Sequence, residues 1–497
     1  MGFRTIPELL DQAADAHGDR LWLRTDDGEL SFAQARAHVS HVMDHFRTAG
    51  IAGGDLVVIT TRTTAPYLLA WLALTSMGAI AVTANPASAP AEIEGLLAQT
   101  TPKAVVSDAG IGLAGRIDVD DVIGDWTRSV PASPPIAGAV GHEDVAVLIP
   151  TSGTTGRSKL VMQTHRAYAM AGEGFPWWLD LTSDDVLMTA LPLFHLNAPA
   201  YSVMGSLACG AGLVLVDRFS ASGFLDAARR HGATEFNAIG AMVEILMRQP
   251  PRPDDADNAL RICYTGPSPT RERQLEIEAR FGLRVVCGYA MSESPYALVW
   301  HRGMRPYGTL GVPRQHPTMG HVNDARVIDE AGHEVPVGGS GELLLRNPTV
   351  TPGYWGMPDE TARAVVDGWL HTGDLVTVNA DGTYTFVSRI KEVLRRRGEN
   401  LSPLEVEDVL EQHPDVVEAA VVGVPSELSE EEIKAFVVLS ADVSFQDLRE
   451  FAGARLAAFK VPRYWQRVAE LPRTPTQRIA KHKLPAGHPP EEWDCAS

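Results

Sequence analysis

The chain has 497 residues, 45% of them hydrophobic, which is enough to bury more than one core. A formal net charge of −19 leaves no general basic surface, so binding to nucleic acid through its phosphates is excluded. The four cysteines, Cys209, Cys263, Cys287 and Cys495, form no CxxC pair, and neither a disulfide framework nor a zinc site is expected.

The N-terminus, MGFRTIPELLDQAADAHGDR, lacks a basic start followed by an apolar run, so no signal peptide is expected and the chain is assigned to the cytoplasm. Residues 55–60 (DLVVIT) predict a buried strand. Residues 66–82 (PYLLAWLALTSMGAIAV) fall short of the roughly 20 apolar residues of a membrane span and predict a buried helix. The proline-rich stretch 131–141 predicts a surface connection. Strands follow at 145–149, 213–216 and 285–287, alternating with helical patterns, so the first part reads as layered α/β.

Near Asp381 the pattern changes to shorter units. A turn at Asp381-Gly382 leads to a strand through Tyr384 and Phe386 and then to the charged segment SRIKEVLRRRGEN. Ser402 is expected to cap a helix, with Pro403 at its first position and Glu405 closing a capping box. Strands at 419–422 and 435–439 complete a small α+β domain. The division is therefore residues 1–387 for the large domain and 388–497 for the small one.

After the strand at 145–149 comes Thr151-Ser152-Gly153-Thr154-Thr155-Gly156-Arg157-Ser158-Lys159. Glycine permits close backbone approach, hydroxyls donate to phosphate oxygens and lysine supplies charge, so the loop suits a polyphosphate. It is not a Walker A loop, because neither glycine is followed directly by Lys-Ser/Thr. A polar turn with one surface lysine would have the same composition.

This loop resembles the nucleotide-phosphate loop of the adenylate-forming superfamily of acyl-CoA synthetases, peptide-synthetase adenylation domains and luciferases. In the same order follow LPLFH (191–195), GYAMSES (288–294), GELLLR (341–346), GYWGMPDETA (353–362), DGWLHTGDL (367–375), SRIKEVLRRRGENLSPLEVE (388–407) and LPRTPTQRIAKHKL (471–484). The resemblance covers nearly the whole chain and is closest to bacterial carnitine/crotonobetaine-type and aryl or short-chain acyl-CoA ligases. It implies a large layered α/β domain that binds ATP and an acid, followed by a small mobile lid domain.

It also implies roles for individual residues. Thr151, Ser152, Gly153, Thr154, Thr155, Gly156 and Lys159 would hold the phosphates. Tyr289 would pack on adenine, Gly266 would belong to the pocket wall and contact the cofactor, Ser292 would meet the α-phosphate, and Glu293 would bind magnesium, a hard ion that takes oxygen ligands. Asp374 would accept the ribose hydroxyls, with Arg389 contacting the same nucleotide. Lys391 matches the hinge of the small domain, and Gly398 the channel for the pantetheine arm of CoA. His195, Asn197, Ile239, Gly240 and Met291 would surround the acid.

Peptide-synthetase adenylation domains usually place an aspartate just after this phenylalanine to pair with the substrate's α-ammonium group; Phe194-His195-Leu196-Asn197 contains no carboxylate, so the resemblance implies that an α-amino acid is a poor substrate. The family's catalytic lysine maps onto Arg478, with Gln477 in place of the preceding glycine. Arginine keeps the charge but spreads it over a planar fork. Lys481 is the other candidate for the role. The expected activity is an ATP- and Mg²⁺-dependent ligase that forms an acyl-AMP and passes the acyl group to CoA. Two alternatives stay open: a diazotase that adenylates nitrite and transfers it to an aryl amine in natural-product biosynthesis, and a degenerate nucleotide-binding homologue.

Overall fold

Helix Ala65–Ser76 is apolar on every side, and all of it except Pro66 is buried. The Thr64 hydroxyl accepts from the Tyr67 amide at 3.4 Å and caps its start. The expected helix over 66–82 is thus corrected. It ends where Gly78 takes φ +81°, the Ala79 amide bonds back to the Leu74 carbonyl at 3.0 Å, and Ile80–Thr83 becomes a strand. Apolar composition runs straight through this break, and the left-handed glycine makes it.

This computed structural model describes residues 2–88, 90–108, 116–138, 140–151, 158–266, 268–390, 394–396, 399–425, 431–456, 458–473, 479–485, 487–489 and 491–495. The chain divides into two compact units. The first comprises Met1–Arg326, Leu344–His371 and Ala380–Tyr384; the second comprises Val327–Leu343, Thr372–Asn379 and Thr385–Ser497. The last segment begins close to the expected boundary at 388, and two earlier segments join it.

The first unit holds two large sheets. One has six strands in the order Arg116–Asp118, Ala104–Ser107, Leu56–Thr60, Ile80–Thr83, Val145–Thr151 and Lys159–Thr164. All of its pairings are parallel except the last. The other has nine, in the order Val312–Pro313, Ser294–Val299, Arg284–Met291, Ile262–Thr265, Glu235–Asn237, Val186–Thr189, Gly212–Leu215, Leu21–Arg24 and Glu29–Ser31. Its middle pairings are parallel and its edges antiparallel, with buried strands and packed helices as expected of α/β layers. Capping boxes at Thr5/Glu8 and Ser31/Gln34 start two of those helices. The connection at 131–138 is anchored by Asp11, whose carboxylate accepts from the Ile136 and Ala137 amides.

In the second unit Val416–Pro425 pairs antiparallel with Glu431–Leu439, which runs parallel to Tyr464–Arg467. Helices Pro403–Glu411 and Phe445–Gly453 contribute Val406, Leu410, Leu448 and Ala452 to a core with Val421, Ile433 and Trp465, giving a small α+β unit. Pro403 opens its helix as expected, but the capping box is corrected: Ser402 makes no side-chain cap bond. Its hydroxyl donates to the Val387 carbonyl at 2.7 Å, and the Glu405 carboxylate is taken by Lys460 at 2.6 Å. Among the described residues no helix is long and apolar enough to cross a membrane.

Candidate active site

Adjacent parallel strands of the nine-stranded sheet pair Asn237 with Tyr264 and Thr265 with Cys287 at their carboxyl ends, where an open α/β sheet binds its ligands, and beyond Cys287 the chain runs on into the hairpin arm that carries Tyr289 and Met291. Five expected site residues stand just beyond these strand ends. The Gly240 amide bonds to the Gly266 carbonyl at 3.3 Å, and Ile239 is the extended residue before helix Gly240–Arg248. A Cβ at Gly266 would stand 2.6 Å from the Gly288 carbonyl, so only glycine lets these two segments approach. The Tyr289 hydroxyl reaches the Met291 sulfur at 3.9 Å. Asn197 joins from the other side, its side-chain oxygen accepting from the Asn237 amide group at 2.7 Å. It precedes a π-helical turn, Ala198–Val203, a departure from α-geometry often found at functional sites. The His195 ring packs edge-on against Phe194 with centroids 4.6 Å apart.

Ser292 and Glu293 form the tight turn between antiparallel strands Arg284–Met291 and Ser294–Val299. Both are fixed by main-chain contacts. The Ser292 carbonyl accepts from the Gln163 side chain at 2.5 Å and the Glu293 carbonyl from the Thr351 amide at 2.7 Å. The Glu293 carboxylate accepts from the Tyr354 hydroxyl at 2.9 Å. Burial, with that carboxylate beside it, holds the Tyr354 hydroxyl well above the usual phenol range, so it remains a donor.

Thr151 and Lys159, the two ends of the segment expected to hold phosphates, are register partners, and the Thr151 hydroxyl donates to the Lys159 carbonyl at 3.3 Å. Lys159 therefore sits on a strand. Its ammonium lies 4.7 Å from the Tyr354 ring centroid and 2.5 Å from the Glu360 carboxylate. One tyrosine thus touches both Lys159 and Glu293. Ser152, Gly153, Thr154, Thr155 and Gly156 lie outside the described residues.

In the second unit, Arg389 Nε approaches Asp374 Oδ1 at 2.7 Å, and Asp374 is 0% exposed. The Asp374 amide bonds to the Thr372 hydroxyl at 3.1 Å, and the Gly373 amide to Glu342 at 3.0 Å, so the part of strand Trp369–Val378 that carries the aspartate is held in place. Lys391, Gly398 and Arg478 lie outside the described residues. Lys481, the other candidate for the catalytic cation, bridges to the buried Glu407 carboxylate at 2.8 Å.

Tyr354, Glu360 and Gln163 were given no role by sequence. Tyr354 and Glu360 stand in the GYWGMPDETA motif, where an aromatic and an acid beside glycine carried the signal. Gln163 carried none: a polar residue in an apolar strand becomes informative only once its partner is known.

The family model for AMP-binding enzymes matches residues 10–355, and that for the AMP-binding enzyme C-terminal domain matches residues 405–478. The crotonobetaine/carnitine–CoA ligase of Salmonella agona is 29% identical over 520 residues, covering 97% of this chain and 99% of the ligase. A benzoate CoA ligase from Burkholderia xenovorans superposes with a TM-score of 0.85 at 25% identity, over 97% of this chain and 99% of the other. An O-succinylbenzoate coenzyme A synthetase from Bacillus subtilis, solved with ATP and a magnesium ion, gives 0.85 at 26% identity, over 96% and 98%.

Proposed function

The chain belongs to the family of AMP-binding enzymes, and from that premise we propose that it activates a small aryl or short-chain carboxylic acid with ATP and transfers the acyl group to CoA. The observation that carries the reading is the contact of Tyr354 with both Lys159 and Glu293: a phosphate-loop cation and a carboxylate on the nucleotide hairpin, held at one place. The similarity to acyl- and aryl-CoA ligases over nearly the whole chain supports it.

In this reading an oxygen of the acid attacks the α-phosphorus of ATP, the new O–P bond forms and pyrophosphate leaves. Lys159 and the loop from Thr151 to Gly156 neutralise the phosphates, Tyr289 packs on adenine, and Ser292 meets the α-phosphate. Glu293 fits a hard divalent ion, since a carboxylate oriented by the Tyr354 hydroxyl at one oxygen is an oxygen donor of the kind such an ion takes. When bound, magnesium supplies charge neutralisation to the phosphates. Asp374 accepts the ribose hydroxyls, with Arg389 already seated on it. Arg478 bridges the acid and the α-phosphate. The pocket of His195, Asn197, Ile239, Gly240 and Met291 holds the acid.

For transfer, the segment from residue 388 onward swings about Lys391, and the CoA thiolate, passing Gly398, attacks the acyl carbon with release of AMP. The enzyme works by positioning and fixed charge, with no covalent nucleophile. Product analysis tests the reading: ATP, CoA and a panel of benzoate, anthranilate, crotonobetaine and short-chain acids, against ATP, nitrite and an aminoaryl acid. An acyl-CoA product supports it. A diazo product formed without CoA would replace it with the diazotase reading that the Gln477-Arg478 sequence keeps open.

A further inference from the structure

Arg314 lies in none of the motifs, yet it is 0% exposed in the core of the first unit. Its donors all have acceptors. Nε donates to the Leu298 carbonyl at 3.0 Å, and Nη1 to the Tyr201 hydroxyl at 2.7 Å and the Pro295 carbonyl at 2.8 Å. Nη2 donates to the Tyr264 hydroxyl and, at 3.5 Å, to the Tyr289 carbonyl. The guanidinium lies over the Trp178 ring at 4.5 Å and the Tyr201 ring at 5.0 Å.

Every acceptor is neutral, and a buried charge without a countercharge is unfavourable. An apolar side chain would fill this space without that penalty. What it could not do is hold two strands at once. Three of the acceptors are main-chain carbonyls on both arms of the hairpin that carries Tyr289, Ser292 and Glu293: Tyr289 on one arm, Pro295 and Leu298 on the other. We infer that Arg314 is a positioning residue that clamps this hairpin from within the core and so sets Tyr289 and Glu293 for the nucleotide.

Gly288 fits the same picture. A Cβ there would run into the Tyr264 hydroxyl and stand 2.9 Å from Arg314 Nη2, so the residue before Tyr289 carries no side chain where the clamp closes. A lysine could not replace the arginine, because a point charge on a flexible stem cannot span both arms.

The inference rests on the nucleotide-binding reading above, and the test separates the two. A fluorescent AMP analogue (mant-AMP) is titrated into the wild type, Arg314→Lys, Arg314→Met and Gly288→Ala, and Tm is measured for each. Val39→Ala, a core truncation on helix Phe32–Thr48, serves as the stability control. The expected result is an affinity loss of about tenfold or more in Arg314→Lys and Gly288→Ala, while Val39→Ala binds like wild type despite its lowered Tm. Restoration by lysine would overturn the clamp, since charge alone would then suffice. So would affinities that follow Tm across all variants, Val39→Ala included. If Arg314→Met does not fold, the lysine and Gly288→Ala variants decide. A wild type that binds no mant-AMP sinks the nucleotide-binding reading itself.

Discussion

Tyr354 is where the described part of the candidate site is most tightly connected, with its hydroxyl on Glu293 and its ring under Lys159. Replacing it by phenylalanine keeps the ring and removes the donor, leaving the Glu293 carboxylate unoriented. A hydrogen bond to a charged group is worth about 1.5–3 kcal/mol, so Tyr354→Phe should lower kcat about tenfold or more and raise the Mg²⁺ concentration for half-maximal rate. Steady-state rates over a Mg²⁺ series check this, and an unchanged Mg²⁺ dependence contradicts it. The two C-terminal cations should separate cleanly. Arg478→Ala should depress pyrophosphate release strongly while barely changing ATP affinity. Lys481→Ala should instead lower Tm, because it removes the countercharge of the buried Glu407 carboxylate. Rates and melting curves for both variants distinguish the roles, and a Lys481→Ala enzyme that folds normally but is inactive would reverse the assignment.

At the scale of elements, the strands of both units were legible because β-branched runs between turns are buried in sheets, as at 55–60 and 435–439. Their ends were less so: the strand expected to stop at 149 runs to Thr151, and that at 285–287 spans Arg284–Met291. Hydrogen bonding across a hairpin extends a strand past its apolar residues, and the sequence does not show the partner. The helix over 66–82 is shorter than its composition predicts, because composition carries no sign of the left-handed Gly78. Ser402 and Glu405 had the spacing of a capping box, but distant groups, Val387 and Lys460, compete for both side chains. Ser402→Ala should therefore cost about 1 kcal/mol through the lost bond to Val387. Glu405→Ala, which breaks only an exposed pair, should cost under about 0.5 kcal/mol. Urea denaturation measures both, and equal losses would favour the capping box. The site motifs were legible as an ordered set; Arg314 and Gln163 were not, because each acts through contacts with residues distant in sequence, Arg314 with Tyr201, Tyr264, Tyr289, Pro295 and Leu298 and Gln163 with Ser292.

For the whole molecule, stability should depend on pH through His165. Its Nδ1 accepts from the Ile6 amide at 3.4 Å, and the side chain is buried. Burial, opposed in part by Asp144, pushes the imidazole down to about 4. The unfolded chain takes up a proton near the ordinary value of about 6.5, so the folded state's advantage is complete above that value and is lost as the pH falls toward 4. Between pH 7.5 and 5 this amounts to about 2 kcal/mol, and His165→Gln should remove that part of the pH dependence in urea titrations. A pH profile identical in the variant would exclude His165 as its source. The function itself turns on acid-dependent exchange of labelled pyrophosphate into ATP with Mg²⁺ and no CoA. Exchange with at least one acid of the panel is the predicted result. Its absence with every acid, from protein that still binds ATP, would contradict adenylation.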